Sequence, residues 1–415
     1  MCLGFRSTDD TDSMSIAQLA WQVFGCVCWL VAAAWLVQGW LVLRGMPALP
    51  DLTKIADRLP TLVRGEGPDV TVVVPACNEE ATIEATLRSL LASEGVHLQV
   101  IAVDDRSTDD TGASMDRVAA EWQASRGLHT LEVLHVRELE QGWLGKPHAM
   151  ALAARQARAP WILFTDGDVL FAPSALQLAL RQAQAARADH LILIPTLILK
   201  TVGERAMLAA MQTLSQWTIR LWRVSNPKAK DFIGVGGFNL IRRAAYERVG
   251  GFEALRMEVL DDLRLGWMVK RAGLRQDVAL GPELVRIRWI EGPLAVVRLV
   301  EKNGFSVYRF RPGLTLVACI GLALHAVFPL VAMASGGWMA LAGVLTYAGI
   351  AMVYEGNRCV TQVRAWHAVL FAPAVAVVIY AFVRSMVLTL ARGGVTWRGT
   401  LYPLDELRRA AGRGW

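Results

Sequence analysis

"WILFTDGDVLF", residues 161–171, decides how this chain is read. Four apolar residues, Trp161 to Phe164, stop abruptly at two carboxylates, Asp166 and Asp168, with Gly167 between them. A short continuous apolar run suits a strand buried on both faces of a sheet. The Asp-Gly-Asp that follows has two readings. One is a plain turn, because Asp and Gly are turn residues. The other is a pair of hard oxygen donors where a divalent cation meets the phosphate of a substrate.

The neighbouring sequence separates the two readings. "VTVVVP" (70–75), "LQVIAVDD" (98–105), "LEVLHV" (131–136), "WILFTD" (161–166) and "HLILIPTLIL" (190–199) read as strands. Helical stripes lie between them, such as Ile83, Leu87, Leu90 and Leu91, and a helix begins near Pro147. Alternation of this kind predicts an α/β domain with a mostly parallel sheet, over residues 69–291. In such sheets ligands sit beyond the carboxyl ends of the strands. Three polar clusters fall there: "PACNEE" after the first strand, "DDRSTDD" after the second, and "TDGD" after the fourth. Each alone is ordinary turn and cap chemistry. Together on one rim they place more carboxylates than turns require, and their repulsion is costly without a cation.

Outside this region the chain is strongly apolar. Of its 415 residues 54% are hydrophobic, and mean hydropathy is +0.34. Residues 15–43 are nearly free of charge and longer than the 20 or so residues that span a bilayer. No basic region or small-residue cleavage site marks them as a removable signal, so they read as a retained transmembrane helix after a tail, 1–14. Asp9, Asp10 and Asp12 precede it, and Arg44, Lys54, Arg58 and Arg64 follow in a linker, 44–68. The positive-inside rule then sets the central domain in the cytoplasm, at a bacterial-type inner membrane.

After an interfacial segment, 292–313, residues 314–391 hold two or three further spans. "SGGW" (335–338) divides the first two, and Ala365 to Leu390 contains Pro373 and Arg384. Three spans would leave the basic tail, 392–415, on the opposite side, against the charge rule. Either the last stretch is broken or re-entrant around Pro373, or the rule fails here.

The net charge of +6 is spread along the chain rather than gathered in an arm, so nucleic acid is not an expected partner. The six cysteines show no metal-ligand spacing and no disulfide framework.

Six stretches in order carry a resemblance: "VVVPACNEEATIEATLRSLL", "VIAVDDRSTDDT", "GWLGKPHAMALAARQA", "TDGD", "GVGGFNLIRRAAYERVGGF" and "VLDDLRLG". They resemble the inverting family 2 glycosyltransferases of GT-A fold over about residues 70–290. Among membrane members the chain is most similar to the hopanoid-biosynthesis-associated group, and more distantly to ceramide and carotenoid-type enzymes. The resemblance implies transfer of a sugar from a nucleotide-diphosphate donor, probed first as UDP-linked, to a membrane lipid acceptor, with Mg²⁺ or Mn²⁺ as cofactor.

It also implies roles for particular residues. Asp168 would ligate the metal, and Asp166 would face the metal or the ribose. Pro75, Ala76, Asn78 and Glu79 would form the first nucleotide-contacting loop. Asp104, with Asp105 beside it, would accept from the base N–H. Lys146 would stand near the diphosphate, where an ammonium is electrostatically apt. Asp262, second of the pair Asp261–Asp262, would be the general base, on the face opposite the leaving group. Here the first of the pair is Asp where the family has Glu, which leaves open which of the two acts. Residues 234–243 would line the donor–acceptor junction.

Departures narrow the reading. Processive synthases carry Q-x-x-R-W, whereas "VRIRW" (285–289) keeps Arg288 and Trp289 but has Val285 in place of glutamine. A single transfer to lipid is therefore preferred to a polysaccharide synthase. A non-catalytic nucleotide-sugar scaffold would be expected to have lost acids at 166, 168 or 262. A nucleotidyltransferase would carry a basic glycine-rich loop where "PACNEE" is acidic. The stretches 204–224 and 292–312 mix apolar bulk with aromatic residues and Arg, as at a membrane interface.

Overall fold

The structure, a computed structural model, describes residues 15–125, 127–289, 291–292 and 294–411. The tail 1–14, with the acids expected to set orientation, and Arg413 lie outside them.

The central sheet contains β1 (Val70–Ala76), β2 (Leu98–Asp105), β3 (Thr130–Val136), β4 (Trp161–Phe164), β6 (His190–Ile194), β8 (Asn239–Arg242) and β9 (Gln276–Leu280). Its order is β3-β2-β1-β4-β8-β6-β9. All pairs are parallel except those of β8, which runs against β4 and β6. The β-branched run of β1 is buried throughout, as a strand covered by helices on both faces must be. The single strand expected at 190–199 is instead two. Pro195 breaks it, and β7 (Thr196–Leu197) joins β5 (Val169–Phe171) and β10 (Val285–Ile287) in a second sheet, ordered β5-β10-β7. Proline cannot donate to a ladder, so the chain changes sheets there.

Among the described residues four helices are long and apolar enough to cross a membrane: Ile16–Ala48, Pro312–Ala334, Gly337–Gly356 and Ala365–Arg392. The first and third pack closely and run the same way. Gly39 lies on the Gly349 carbonyl, and Gly356 on Val42. Small residues let helix backbones approach where lipid supplies no hydrophobic drive. At the lower end of this pair, Gln38 donates to the Gln216 carbonyl (3.0 Å). Gln216 and Asn357 exchange amide hydrogen bonds (2.6 and 3.1 Å). A buried polar network so satisfied fixes the register of the elements it joins.

Two amphipathic helices, Val202–Ser215 and Ala295–Val307, lie between the α/β unit and the apolar helices. Thr201 and Glu204 form a capping box at the head of the first. Glu204, 1% exposed, also accepts from Gly292 N (2.8 Å) and pairs with Arg288 (3.3 Å). The arginine of "VRIRW" thus braces the junction between domain and helices.

The last apolar stretch starts with a 3₁₀ run, Ala365–Leu370, and continues as the helix Phe371–Arg392. Pro373 sits in its first turn, where a missing N–H breaks no hydrogen bond. Before it, Asn357 is held by Gln216, and Val360 packs with Ile194 and Leu197 of the α/β unit. After it, the residues read as a basic tail form a hairpin, β11 (Gly394–Trp397) and β12 (Thr400–Pro403), and a helix, Leu404–Ala411. Val395, Tyr402, Leu404 and Leu407 bury themselves against Leu144, Val259, Phe305 and Phe310. Both flanks of the stretch therefore meet the α/β unit.

Candidate active site

β1 pairs in parallel with β2 and β4, so their carboxyl ends open on one edge. The first two loops there are sewn together. Asn78 accepts from Thr108 N (2.8 Å), and its own N–H donates to Ser107 Oγ (3.1 Å). Glu79 N donates to Thr111 Oγ1 (2.8 Å). Asn78 holds φ +57°, a left-handed conformation that Asn tolerates better than most residues. Pro75 and Ala76 are the buried end of β1. Asp104 accepts from Ser107 N (3.2 Å) and faces His135 Nδ1 (3.1 Å). Asp105 is 2% exposed and grips Arg106 through both oxygens (2.8 and 3.1 Å).

At the third loop Asp166 accepts from Lys146 Nζ at 2.5 Å. Lys146 belongs to the first turn of the helix Gly145–Ala154, and the pair Asp261–Asp262 opens the helix Asp261–Arg271. A single segment connects the two acid groups. A Cβ at Gly236 would lie 2.6 Å from Asp166 Oδ2 and 3.3 Å from Lys146 Nζ. A Cβ at Gly234 would strike the Asp262 backbone carbonyl. Glycine is needed at both places because no side chain fits between these groups.

The electrostatics divide the acids. Burial opposes charge on Asp166, but Lys146 overrides it and holds this carboxyl below its usual range. Burial, with Asp166 and Glu79 nearby, pushes Asp168 up to about 6. Burial and then the neighbouring Asp261 push Asp262 up to about 6 as well. Burial raises Asp261 too, against the pull of Lys146. For Lys146 itself burial opposes the charge, yet Asp166, Asp261 and Asp262 keep it protonated. Asp168 Oδ1 and Asp261 Oδ2 are buried without a hydrogen-bond partner. An orphaned buried carboxylate oxygen beside further acids fits a hard cation. Among the described residues no cluster of three or more His, Cys, Asp or Glu forms a complete cage. A metal here would need oxygens from its substrate as well.

The structure brings Asp166, Lys146, Asp261 and Asp262 together, with Asp168 and Glu79 close enough to act on them. Asp105 is turned instead onto Arg106. Two cations that sequence reasoning missed also reach the rim. Arg398 of the hairpin pairs with Glu79 (2.8 Å), and Lys302 of the helix Ala295–Val307 lies close enough to act on Asp166. No local motif signals either, because each lies more than 130 residues beyond Asp166.

Residues 71–250 match the family described as Glycosyl transferase family 2. A 4,4'-diaponeurosporenoate glycosyltransferase of Staphylococcus aureus is 26% identical over 199 residues, 48% of this chain and 50% of that protein. An uncharacterized protein of Mycobacterium tuberculosis is 36% identical over 110 residues, 26% of this chain and 31% of that protein. The chain thus spans half or less of the length of these curated relatives. A mannosyltransferase from Pyrobaculum calidifontis, solved with GDP-Man and Mn²⁺, aligns over 88% of this chain and 98% of its own, with 18% identity and a TM-score of 0.46. Most of the α/β unit, residues 71–250, thus resembles the glycosyl transferase family 2 domain, and among the described residues four helices long and apolar enough to span a membrane flank it.

Proposed function

We propose that the protein transfers a sugar, with inversion, from a nucleoside-diphosphate donor to a hydroxyl of a membrane lipid. The observation that carries this reading is the meeting of Asp166, Lys146 and Asp262 across the Gly234–Gly236 segment, beside the amphipathic helices that join the domain to its apolar partners. Asp262 is the base. It is partly exposed at the helix start while Asp261 is 5% exposed, so Asp262 is the more open of the two to an acceptor. A carboxylate held near pH 6 is mostly ionised at neutral pH and still basic enough to take a proton as the hydroxyl attacks. Asp168, with Asp166, would hold Mg²⁺ or Mn²⁺, which would neutralise charge developing on the leaving diphosphate. Lys146 stays protonated and adds fixed positive charge at the same place. Pro75, Ala76, Asn78, Glu79 and Asp104 line the rim where base and ribose would rest, and Asp105 acts through Arg106. A uracil suits Asp104 as acceptor, so UDP-sugars are the first donors to try.

Arg44, Lys54, Arg58 and Arg64 after the first apolar helix favour a cytoplasmic domain at a bacterial-type inner membrane. Because both flanks of the 365–392 stretch meet the α/β unit, that stretch dips into the bilayer and returns. This reading keeps Arg392, Arg398, Arg408 and Arg409 on the catalytic side, in agreement with the charge rule.

The test is release of nucleoside diphosphate by detergent-purified protein from a panel of nucleotide sugars, with Mn²⁺ or Mg²⁺ and total lipid extract. Lipid-dependent release from one donor, lost in Asp262→Asn and Asp168→Ala, supports the reading. Nucleotide binding without release from any donor would favour a scaffold.

A further inference from the structure

The hairpin β11–β12 poses a local puzzle. Trp397 pairs with Thr400, so its turn is the two residues Arg398 and Gly399, with φ +49° and +79°. A turn with both φ values positive favours Asn-Gly, because a larger side chain in the left-handed region is strained. An arginine held there calls for a reason outside the turn. Its guanidinium reaches back across the sequence to Glu79 on the first loop, at 2.8 Å.

The hairpin is docked firmly. Gly145 N donates to Tyr402 Oη (3.2 Å), Arg106 donates to Thr400 Oγ1 (3.3 Å), and Tyr402 lies in an apolar cluster with Leu144 and Phe305. On its inner side Lys302 Nζ stands 4.5 Å from the centre of the Trp397 ring. Lys302 forms no ion pair with a described carboxylate. Three cations from three distant parts of the chain, Lys146, Lys302 and Arg398, act on the single carboxylate Asp166. The same rim carries Glu79, Asp168, Asp261 and Asp262, and a divalent cation held by the acids would leave these three side chains free to meet an anion.

We propose that Arg398 and Lys302 are ligands of the donor diphosphate, and that the C-terminal hairpin is the outer wall of the donor pocket. This rests on the nucleoside-diphosphate reading above and deepens it. The two residues come from beyond the matched span 71–250, so the donor site is completed by the interfacial helix and the C-terminal hairpin. Glu79 holds the Arg398 guanidinium at the rim. On donor binding the guanidinium turns to the phosphate oxygens, which its planar fork matches better than a point charge does. The aromatic face of Trp397 holds the Lys302 ammonium in place although burial opposes its charge.

The test uses the full-length protein in detergent with Mn²⁺, titrated calorimetrically with UDP, GDP, uridine and guanosine. Wild-type protein binds one of the two diphosphates. Arg398→Asn and Lys302→Met each weaken that binding by about tenfold or more, as loss of a charge-assisted contact should, and leave the matching nucleoside unchanged. Arg398→Asn also suits the turn, so its melting temperature is kept or raised. A merely structural arginine would give the opposite pattern, lower melting temperature with unaltered affinity, and that result overturns the assignment. Wild-type protein that binds neither diphosphate overturns the donor reading itself and this assignment with it.

Discussion

Replacing Asp262 by Asn should make the protein more stable while abolishing its turnover. Burial and Asp261 raise this carboxyl from 3.8 to about 6. Above pH 6 the fold therefore carries an ionised group that it would rather hold protonated. Each pH unit of such displacement corresponds to about 1.4 kcal/mol, so the full effect is about 3 kcal/mol. Partial exposure and sharing with Asp261 reduce the expected gain to about 1–2 kcal/mol. The sign follows from linkage. The unfavourable contribution is complete above the folded value near 6 and vanishes as pH falls below the unfolded value near 4. Melting curves of wild type and Asp262→Asn, in detergent with chelator at pH 7.5 and pH 4.5, should show the variant several degrees higher at pH 7.5 and nearly equal at pH 4.5. Turnover should fall by about 10²–10⁴ at pH 7.5. A variant that melts at or below wild type at pH 7.5, or whose advantage ignores pH, would refute the electrostatic account of the pair.

Other perturbations probe the remaining parts. Turnover of the wild type should rise with pH through about 6, where half of Asp262 is ionised, and level off above it, with about a tenth left at pH 5; a flat profile from pH 5 to 8 would count against a carboxylate base. Lys146→Met removes the cation that acts most strongly on Asp166 and also acts on Asp261 and Asp262, and should cost about 2–4 kcal/mol of stability together with donor binding, read by melting and by nucleotide titration. Gly236→Ala pushes a methyl against Asp166 and Lys146, so kcat/KM should fall by about ten- to a hundredfold with a stability change of about 1–2 kcal/mol. Glu204→Ala strips the capping box and the Arg288 pair, and should cost about 2–4 kcal/mol while leaving nucleotide affinity intact.

What the sequence disclosed and what it hid divide along physical lines. The strands that carry the site were legible because an apolar run ending in Asp or Asn is a local signal, and β1, β2 and β4 end close to where the polar clusters begin. Asp166, Lys146, Asp261 and Asp262 could be singled out because each sits in a short motif at a helix or strand end. The split of 190–199 was hidden by its unbroken hydrophobicity, although Pro195 marked the place. The role of Asp105 was hidden too, since nothing local says that Arg106 would take both of its oxygens. Arg398 and Lys302 were beyond reach altogether. Lys302 approaches Asp166 from the helix Ala295–Val307, and Arg398 does so only after the chain has left the α/β unit, passed through three apolar helices and come back. Hydropathy marks Ala365 to Leu390 as a candidate span, and it could not disclose that Val360 before it and Tyr402 after it both lie in clusters with residues of the α/β unit.

The most direct test of the central claim is to follow the sugar itself. Membranes containing the wild-type protein or Asp262→Asn would be incubated with each sugar-labelled nucleoside-diphosphate donor and Mn²⁺, then extracted with organic solvent. Label entering the lipid phase with wild type, as a discrete glycolipid absent from the variant, is the predicted result. Label that stays with the donor throughout, or appears as an insoluble polymer, would contradict it.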